Sequence, residues 1–147
     1  MTMHEHTRCG LGRRLLAILY DSLVVLALLI IATVPVVLIT GGAQEESAVF
    51  RAALQVYVLV IGFAFFGGFW HFGGQTIGMR AWHIRVTDLE GDPVSWRAAG
   101  IRYIVALFSW AVLGLGFLWS LIDPDQRTWH DIVSETRLSH ERPRGDH

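Results

Sequence analysis

Asp21 is a carboxylate where a carboxylate is costly: it lies inside the apolar run Leu15 to Thr40, seven positions after Arg14. Seven residues are nearly two helical turns, so both side chains leave one face, with the acid roughly 10 Å further along the axis. Arginine can snorkel to headgroup level from such a depth, whereas a short aspartate reaches less far. Insertion scales charge a mid-membrane aspartate about 2.5–3.5 kcal/mol, so Asp21 needs a cationic partner, a water-filled cavity or a bound proton. One reading makes it a ligand for a proton or small cation. The other makes it half of a structural pair with an arginine of a neighbouring segment, Arg102 or Arg97. A lone acid makes a poor relay, and no second membrane carboxylate is present, which weighs toward the pair.

His130 and Asp131 stand side by side, a dyad that acid–base catalysis or metal binding would use. Adjacent helical residues point in different directions, so the dyad alone builds no catalytic set. Metal centres want three or four ligands. The other histidines (His4, His6, His71, His83, His140, His147) lack ligand spacing beyond His4-Glu5-His6 in the N-terminal tail. Gly73 to Arg80 is dense in glycine and ends in a base, but it lacks the Gly-Lys-Ser/Thr core of a phosphate loop. It reads as a tight turn leaving the membrane. Cys9 is the only cysteine, so no internal disulfide forms, and its basic surroundings suit a reduced cytoplasmic thiol. Enzymatic activity, a cofactor and a metal centre are therefore not expected.

Three apolar stretches must position these residues. Charged residues make up 17% of the chain, against about 25% in soluble domains, and these stretches exclude nearly all of them. In the first, Ser22 to Thr40 gives nineteen uncharged residues, close to the ~20 that cross a ~30 Å hydrocarbon core. It exceeds the h-region of a secretory signal and reads as a retained anchor, with Pro35 expected to kink its outer half. The second, Ala52 to Phe72, ends in the aromatic girdle Phe69-Trp70-His71-Phe72 and carries an Ala64/Gly68 pair suited to close helix approach. The third, Tyr103 to Ile122, has Gly114-Leu115-Gly116 at its centre, where glycine weakens or breaks a helix. Helices apolar all round have no face for water, so the expected fold is an all-α membrane protein.

Arginines fix the orientation under the positive-inside rule. Arg8, Arg13 and Arg14 precede the first stretch, and Arg80, Arg85, Arg97 and Arg102 fill the second loop. The first loop holds Glu45 and Glu46 with only Arg51. The N-terminus and second loop are therefore expected in the cytoplasm. Three crossings would put the C-terminal tail outside, yet it carries Arg127, Arg137, Arg142 and Arg144. Either its acids soften the rule, or the third segment is re-entrant around its glycines.

The second loop reads as a short cytoplasmic strand and turn. Trp82, Ile84 and Val86 alternate with His83, Arg85 and Thr87, and Glu90-Gly91-Asp92-Pro93 follows. Ser95 is placed to cap a helix leading into the third stretch. Trp129, Ile132, Val133 and Thr136 have helical spacing, which predicts a short interfacial helix. Residues 1–12 and 139–147 read as flexible or disordered tails around one domain, 13–138.

Taken in order, these pieces resemble a known family. Arg14-Leu15-Leu16-Ala17-Ile18-Leu19-Tyr20-Asp21 resembles the opening of the RDD family, named for one arginine and two aspartates. Gln75-Thr76-Ile77-Gly78-Met79-Arg80, followed by Ile84-Arg85-Val86-Thr87-Asp88, is similar to its Thr-x-Gly-(Lys/Met)-Arg turn and short strand. Arg127-Thr128-Trp129-His130-Asp131-Ile132-Val133 with Thr136 is similar to its closing Leu-His-Asp motif, where Asp131 would be the second aspartate. The likeness covers about residues 10 to 138. Met79 stands where lysine is common, Trp129 where leucine is usual and Glu135 where glycine is usual, the last bearing on the turn after the closing helix. The resemblance implies a multi-pass protein of the cytoplasmic membrane without an agreed biochemical role, although cation/proton exchange has been proposed for some members.

The expectation is thus a structural or accessory protein in which Arg14, Asp21 and Asp131 lock the cytoplasmic helix ends, with Arg102, His130 and Gly78 as further motif or polar positions. The alternative is proton-coupled transport of a small cation by Asp21. The expected partners are the lipid bilayer and, for a chain too small to enclose a pathway alone, a second copy or another membrane protein. A net charge of -1 gives no reason to expect nucleic acid.

Overall fold

A computed structural model describes residues 11–41 and 47–140. The expectations placed on Cys9, His4, His6, Glu45, Glu46 and most of both tails concern residues outside that range. Two long helices dominate: α1 (Leu11–Thr40) and α2 (Ala48–Gly73), both long and apolar enough to cross a membrane. At 1.5 Å per residue they measure roughly 45 and 39 Å. α1 passes through Pro35 without interruption. α2 starts at the Ser47 side chain, which accepts the Phe50 N–H, and ends at Gly74 in the left-handed region, φ 64°. The N–H of Gly74 donates to the Trp70 carbonyl.

α3 (Ile77–Ala81) turns back against α1 and leads into β1 (Ile84–Asp88). Asp88 organises the following turn by accepting N–H bonds from Glu90 and Asp92 at 2.9 and 2.8 Å. Ser95 caps α4 (Trp96–Ala111), accepting the Ala98 N–H at 3.2 Å. Strand, turn and cap lie where the sequence places them.

The third apolar stretch is not a straight rod. After Ala111 its axis bends by 107°, through Leu113 and Gly114 at φ 60° and 75°. α5 (Leu115–Leu118) and a 3-10 turn (Trp119–Leu121) follow, then α6 (Trp129–Val133) and β2 (Thr136–His140). β2 pairs antiparallel with β1, from Ile84 opposite His140 to Asp88 opposite Thr136. The stretch therefore leaves from beside β1 and comes back to it as a hairpin. Gly116 packs against Ser109 and Trp129, so the hairpin arms touch where a side chain at 116 would intrude.

Three expectations need correction. Helix approach in α2 occurs at Gly62, not at Ala64/Gly68: Tyr103 lies against Gly62 and its hydroxyl donates to the Leu59 carbonyl at 3.0 Å, while Gly68 faces open space. The closing helix stops at Val133 rather than reaching Thr136, because Glu135 takes φ 53° and turns the chain into β2. Strand β2 also runs to His140, past the assigned boundary at 138, because β1 supplies a pairing partner that no local pattern announces.

Burial is inverted relative to a water-soluble protein. Arg14, Asp21, Arg102 and Asp131 are at most 6% exposed, while Leu38 and Ile39 are 74% and 86% exposed. A soluble chain hides its apolar groups and solvates its charges. This one offers leucine and isoleucine to its surroundings and collects its charges at one end, beside a small core of Ala17, Trp70, Met79, Ile84, Val86 and Ala99. It is an all-α membrane protein with a small two-stranded sheet.

Candidate functional site

Asp131 is the hub of the buried charges. It sits in the first turn of α6, and Thr128 before that helix donates to Asp131 Oδ2 from its backbone N–H at 3.0 Å and its hydroxyl at 2.7 Å. Arg14 of α1 reaches the same oxygen at 3.3 Å. Arg102 of α4 donates through Nη1 to Asp131 Oδ1, and also to the Thr136 hydroxyl at 2.8 Å. The guanidinium of Arg102 lies 5.0 Å over the Trp70 ring of α2. One carboxylate thus ties α1, α4 and α6 together, and Arg102 extends the tie to α2 and β2. Burial alone would raise the Asp131 pKa, but Arg102, Arg14 and the Thr128 N–H outweigh it and hold the carboxyl well below the usual range.

His130 is part of the same cluster without sharing its charge. Its Nε2 is 2.9 Å from Thr128 Oγ1 and 3.7 Å from Asp131 Oδ1, and its ring packs on Phe117. The Thr128 hydroxyl proton is used on Asp131, so Nε2–H donates to Thr128 Oγ1 and Nδ1 is the bare nitrogen. Burial, reinforced by Arg102 and Arg14, pushes the His130 pKa down to about 3 despite the opposing charge of Asp131. A neutral, enclosed imidazole is a spacer in this cluster.

Asp21 is solved differently. The structure overturns the expected pair with Arg102 or Arg97: Arg102 is committed to Asp131, and among the described residues no arginine lies within ion-pair distance of Asp21. Its carboxylate accepts from the Thr76 hydroxyl at Oδ2 and from the Gly78 N–H at Oδ1, 2.8 Å. Thr76 is the N-cap of α3 and also accepts the Met79 N–H at 3.2 Å. A side chain at Gly78 would overlap the Ala17 carbonyl and press on Asp21, so glycine is what lets α3 lie against α1. Met79, where lysine is common, faces the core at 7% exposure.

Arg14, Ala17 and Asp21 share one face of α1, as the seven-residue spacing requires, and they are the buried residues of that helix. The structure brings Arg14, Arg102, His130 and Asp131 into one cluster and places Asp21 with Gly78 in another. Thr128, Thr136, Thr76 and Trp70 complete these clusters; from sequence they are read as parts of motifs, of a helical spacing and of the aromatic girdle, with no role assigned to them in holding the buried charges. Thr128 had a legible signal, since Thr-x-x-Asp is a capping-box pattern. Thr136 had none, because its partner arrives from α4. A third acidic group, Asp88, Glu90 and Asp92, has ligand oxygens within 4.8 Å of one another, but Asp88 there serves its own turn.

Asp21, Arg14, Arg102, Thr76 and His130 border a half-open cavity of about 480 Å³ between α1, α2 and α4. Its remaining walls are mostly apolar, among them Val25, Leu29, Leu59, Ala106 and Trp110.

Comparison with curated proteins and with solved structures finds no match. The family model described as RDD family matches residues 8–135, most of the chain and both of the clusters above. One arginine and two aspartates at positions 14, 21 and 131, each buried and each bonded to a residue of another segment, lie within that match: the chain is a member of the RDD family.

Proposed function

We propose that this protein is a structural or accessory component of the cytoplasmic membrane, whose motif residues lock the inner ends of its membrane helices. The observation that carries this reading is the saturation of Asp131: Arg14, Arg102 and Thr128 bring it four donor contacts from three segments. A group so committed has no free valence for a transported ion. The same reading gives a topology of two crossings and one re-entrant hairpin. Pairing of β2 with β1 is incompatible with a third full crossing between them, and the hairpin keeps Arg127 and Arg137 on the arginine-rich side, as the positive-inside rule favours.

A second reading has one observation in its favour. Asp21 borders the cavity and, among the described residues, is held by neutral donors alone, which suits an acid that exchanges a proton or small cation. Proteoliposomes decide between the two. Under the structural reading, wild-type protein drives no sodium- or potassium-coupled proton flux above that of empty vesicles, and a C-terminal reporter reads out on the cytoplasmic side. Coupled flux that disappears in Asp21→Asn, with insertion unchanged, would sink the structural reading.

A further inference from the structure

The cavity has the proportions of a lipid site. Along α1 its wall runs from Leu11 to Leu29, roughly 27 Å at 1.5 Å per residue, of which Arg14 to Leu29 takes roughly 22 Å. One leaflet measures about 15 Å of hydrocarbon plus 5–7 Å of headgroup region. Polarity follows the same axis. Arg14, Arg102, Thr128 and His130 lie at one end, and Val25, Leu29, Leu59, Ala106 and Trp110 line most of the remainder, with polar interruptions at Asp21, Ser22 and Tyr103. The volume, about 480 Å³, lies within the ~300–1,000 Å³ of ordinary ligand sites. The groove is half open, and its lining residues Leu15, Leu26, Leu59 and Trp110 are also exposed on the helix surfaces, so its opening is framed by apolar side chains.

We propose that this groove holds one phospholipid from the leaflet on the Asp131 side, its phosphate against the Arg14/Arg102 end and one acyl chain along Val25, Leu59 and Ala106. The sign of the headgroup follows from the charges. Among the described residues the Asp131 cluster sets two guanidiniums against one carboxylate, and both arginines border the groove while Asp131 does not. His130 adds no charge to offset or repel. The Asp21 carboxylate is two turns further along α1 and has its own donors in Thr76 and Gly78. Arginine forks suit phosphate oxygens.

The test uses the full chain reconstituted in vesicles of phosphatidylglycerol and diacylglycerol in equal amounts, extracted in mild detergent and washed extensively. Retained lipid is counted per chain by mass spectrometry. Wild-type protein is expected to keep about one phosphatidylglycerol per chain and to reject diacylglycerol, whereas Ala106→Trp, which fills the groove, loses retention by about tenfold. Leu38→Trp, on an exposed part of α1 away from the groove, should retain lipid as wild type does. Leu59→Trp serves if Ala106→Trp does not elute as a single species. Equal retention in the filled variants, equal retention of diacylglycerol, or a second copy of the chain occupying the groove in native mass spectra would each overturn the proposal. Such a failure would leave the Asp131 lock standing, because that lock is read by stability and not by bound lipid.

Discussion

Asp21 and Asp131, the two buried aspartates among the described residues, both lie near one end of the helices and are answered by opposite means. Asp131 is met by two cations, a hydroxyl and a backbone N–H, and its burial cost is offset by charge. Asp21 is met by one hydroxyl and one backbone N–H, with no cation within ion-pair distance among the described residues. A charge pair fails badly when one member is removed, because the partner stays buried and unpaired. A carboxylate held by neutral donors fails more gently, since an amide keeps one bond on its oxygen and can donate its NH2 to a hydroxyl that reverses its role. The first arrangement fixes segments together; the second also fixes a contact, α1 on α3, but leaves its acid able to change protonation state without stranding a cation.

The largest test of that contrast is Asp131→Asn. It leaves Arg14 and Arg102 facing an amide and should cost about 3–5 kcal/mol, seen as lost yield and a lower Tm in detergent. Next in size is the response to acid. The folded pKa of His130 lies below its unfolded value, from 6.5 to about 3. In that window the unfolded chain binds the proton and the folded chain does not, so stability falls as pH falls, by up to about 1.4 kcal/mol per unit. His130→Gln should flatten thermal stability between pH 6.5 and 4. The acid limb below about pH 4 belongs to Asp131, whose folded pKa is depressed and whose contribution is lost only there. If His130→Gln keeps the full slope, the imidazole is not enclosed as described.

Asp21→Asn comes third, at about 1–2 kcal/mol, because the Gly78 N–H can still donate to the amide oxygen while the amide NH2 turns to the Thr76 hydroxyl oxygen. A loss as large as that of Asp131→Asn would erase the distinction between the two acids. The smallest effect is a gain. Glu135 holds φ 53° in the turn joining α6 to β2, and Glu135→Gly should raise stability by about 0.5–1 kcal/mol, measurable as a modest rise in Tm.

The resemblance to the family was carried by short motifs whose order was readable, and the match over residues 8–135 bears it out. The helical stretches, the strand at 84–88 and the Ser95 cap were equally legible, since each depends on composition or on neighbours within a few positions. The pairing of the buried charges was not. Arg102 was considered for Asp21 because both lie near the same membrane face, yet the hairpin delivers Asp131 to it instead. The C-terminal strand was also missed, for the same kind of reason: Thr136 to His140 is five residues whose pairing depends on a partner loop before α4.

Local chemistry therefore decided that this chain lives in lipid: long uncharged runs exclude water whatever the folding partner, and an acid within such a run must find donors. Which donors it finds is settled by how the third apolar stretch turns at Leu113 and Gly114 and where its return places α6. Electrostatic partners are chosen over a few ångströms in space, and residues 14, 102 and 131 reach that separation only when their three segments, α1, α4 and α6, have packed.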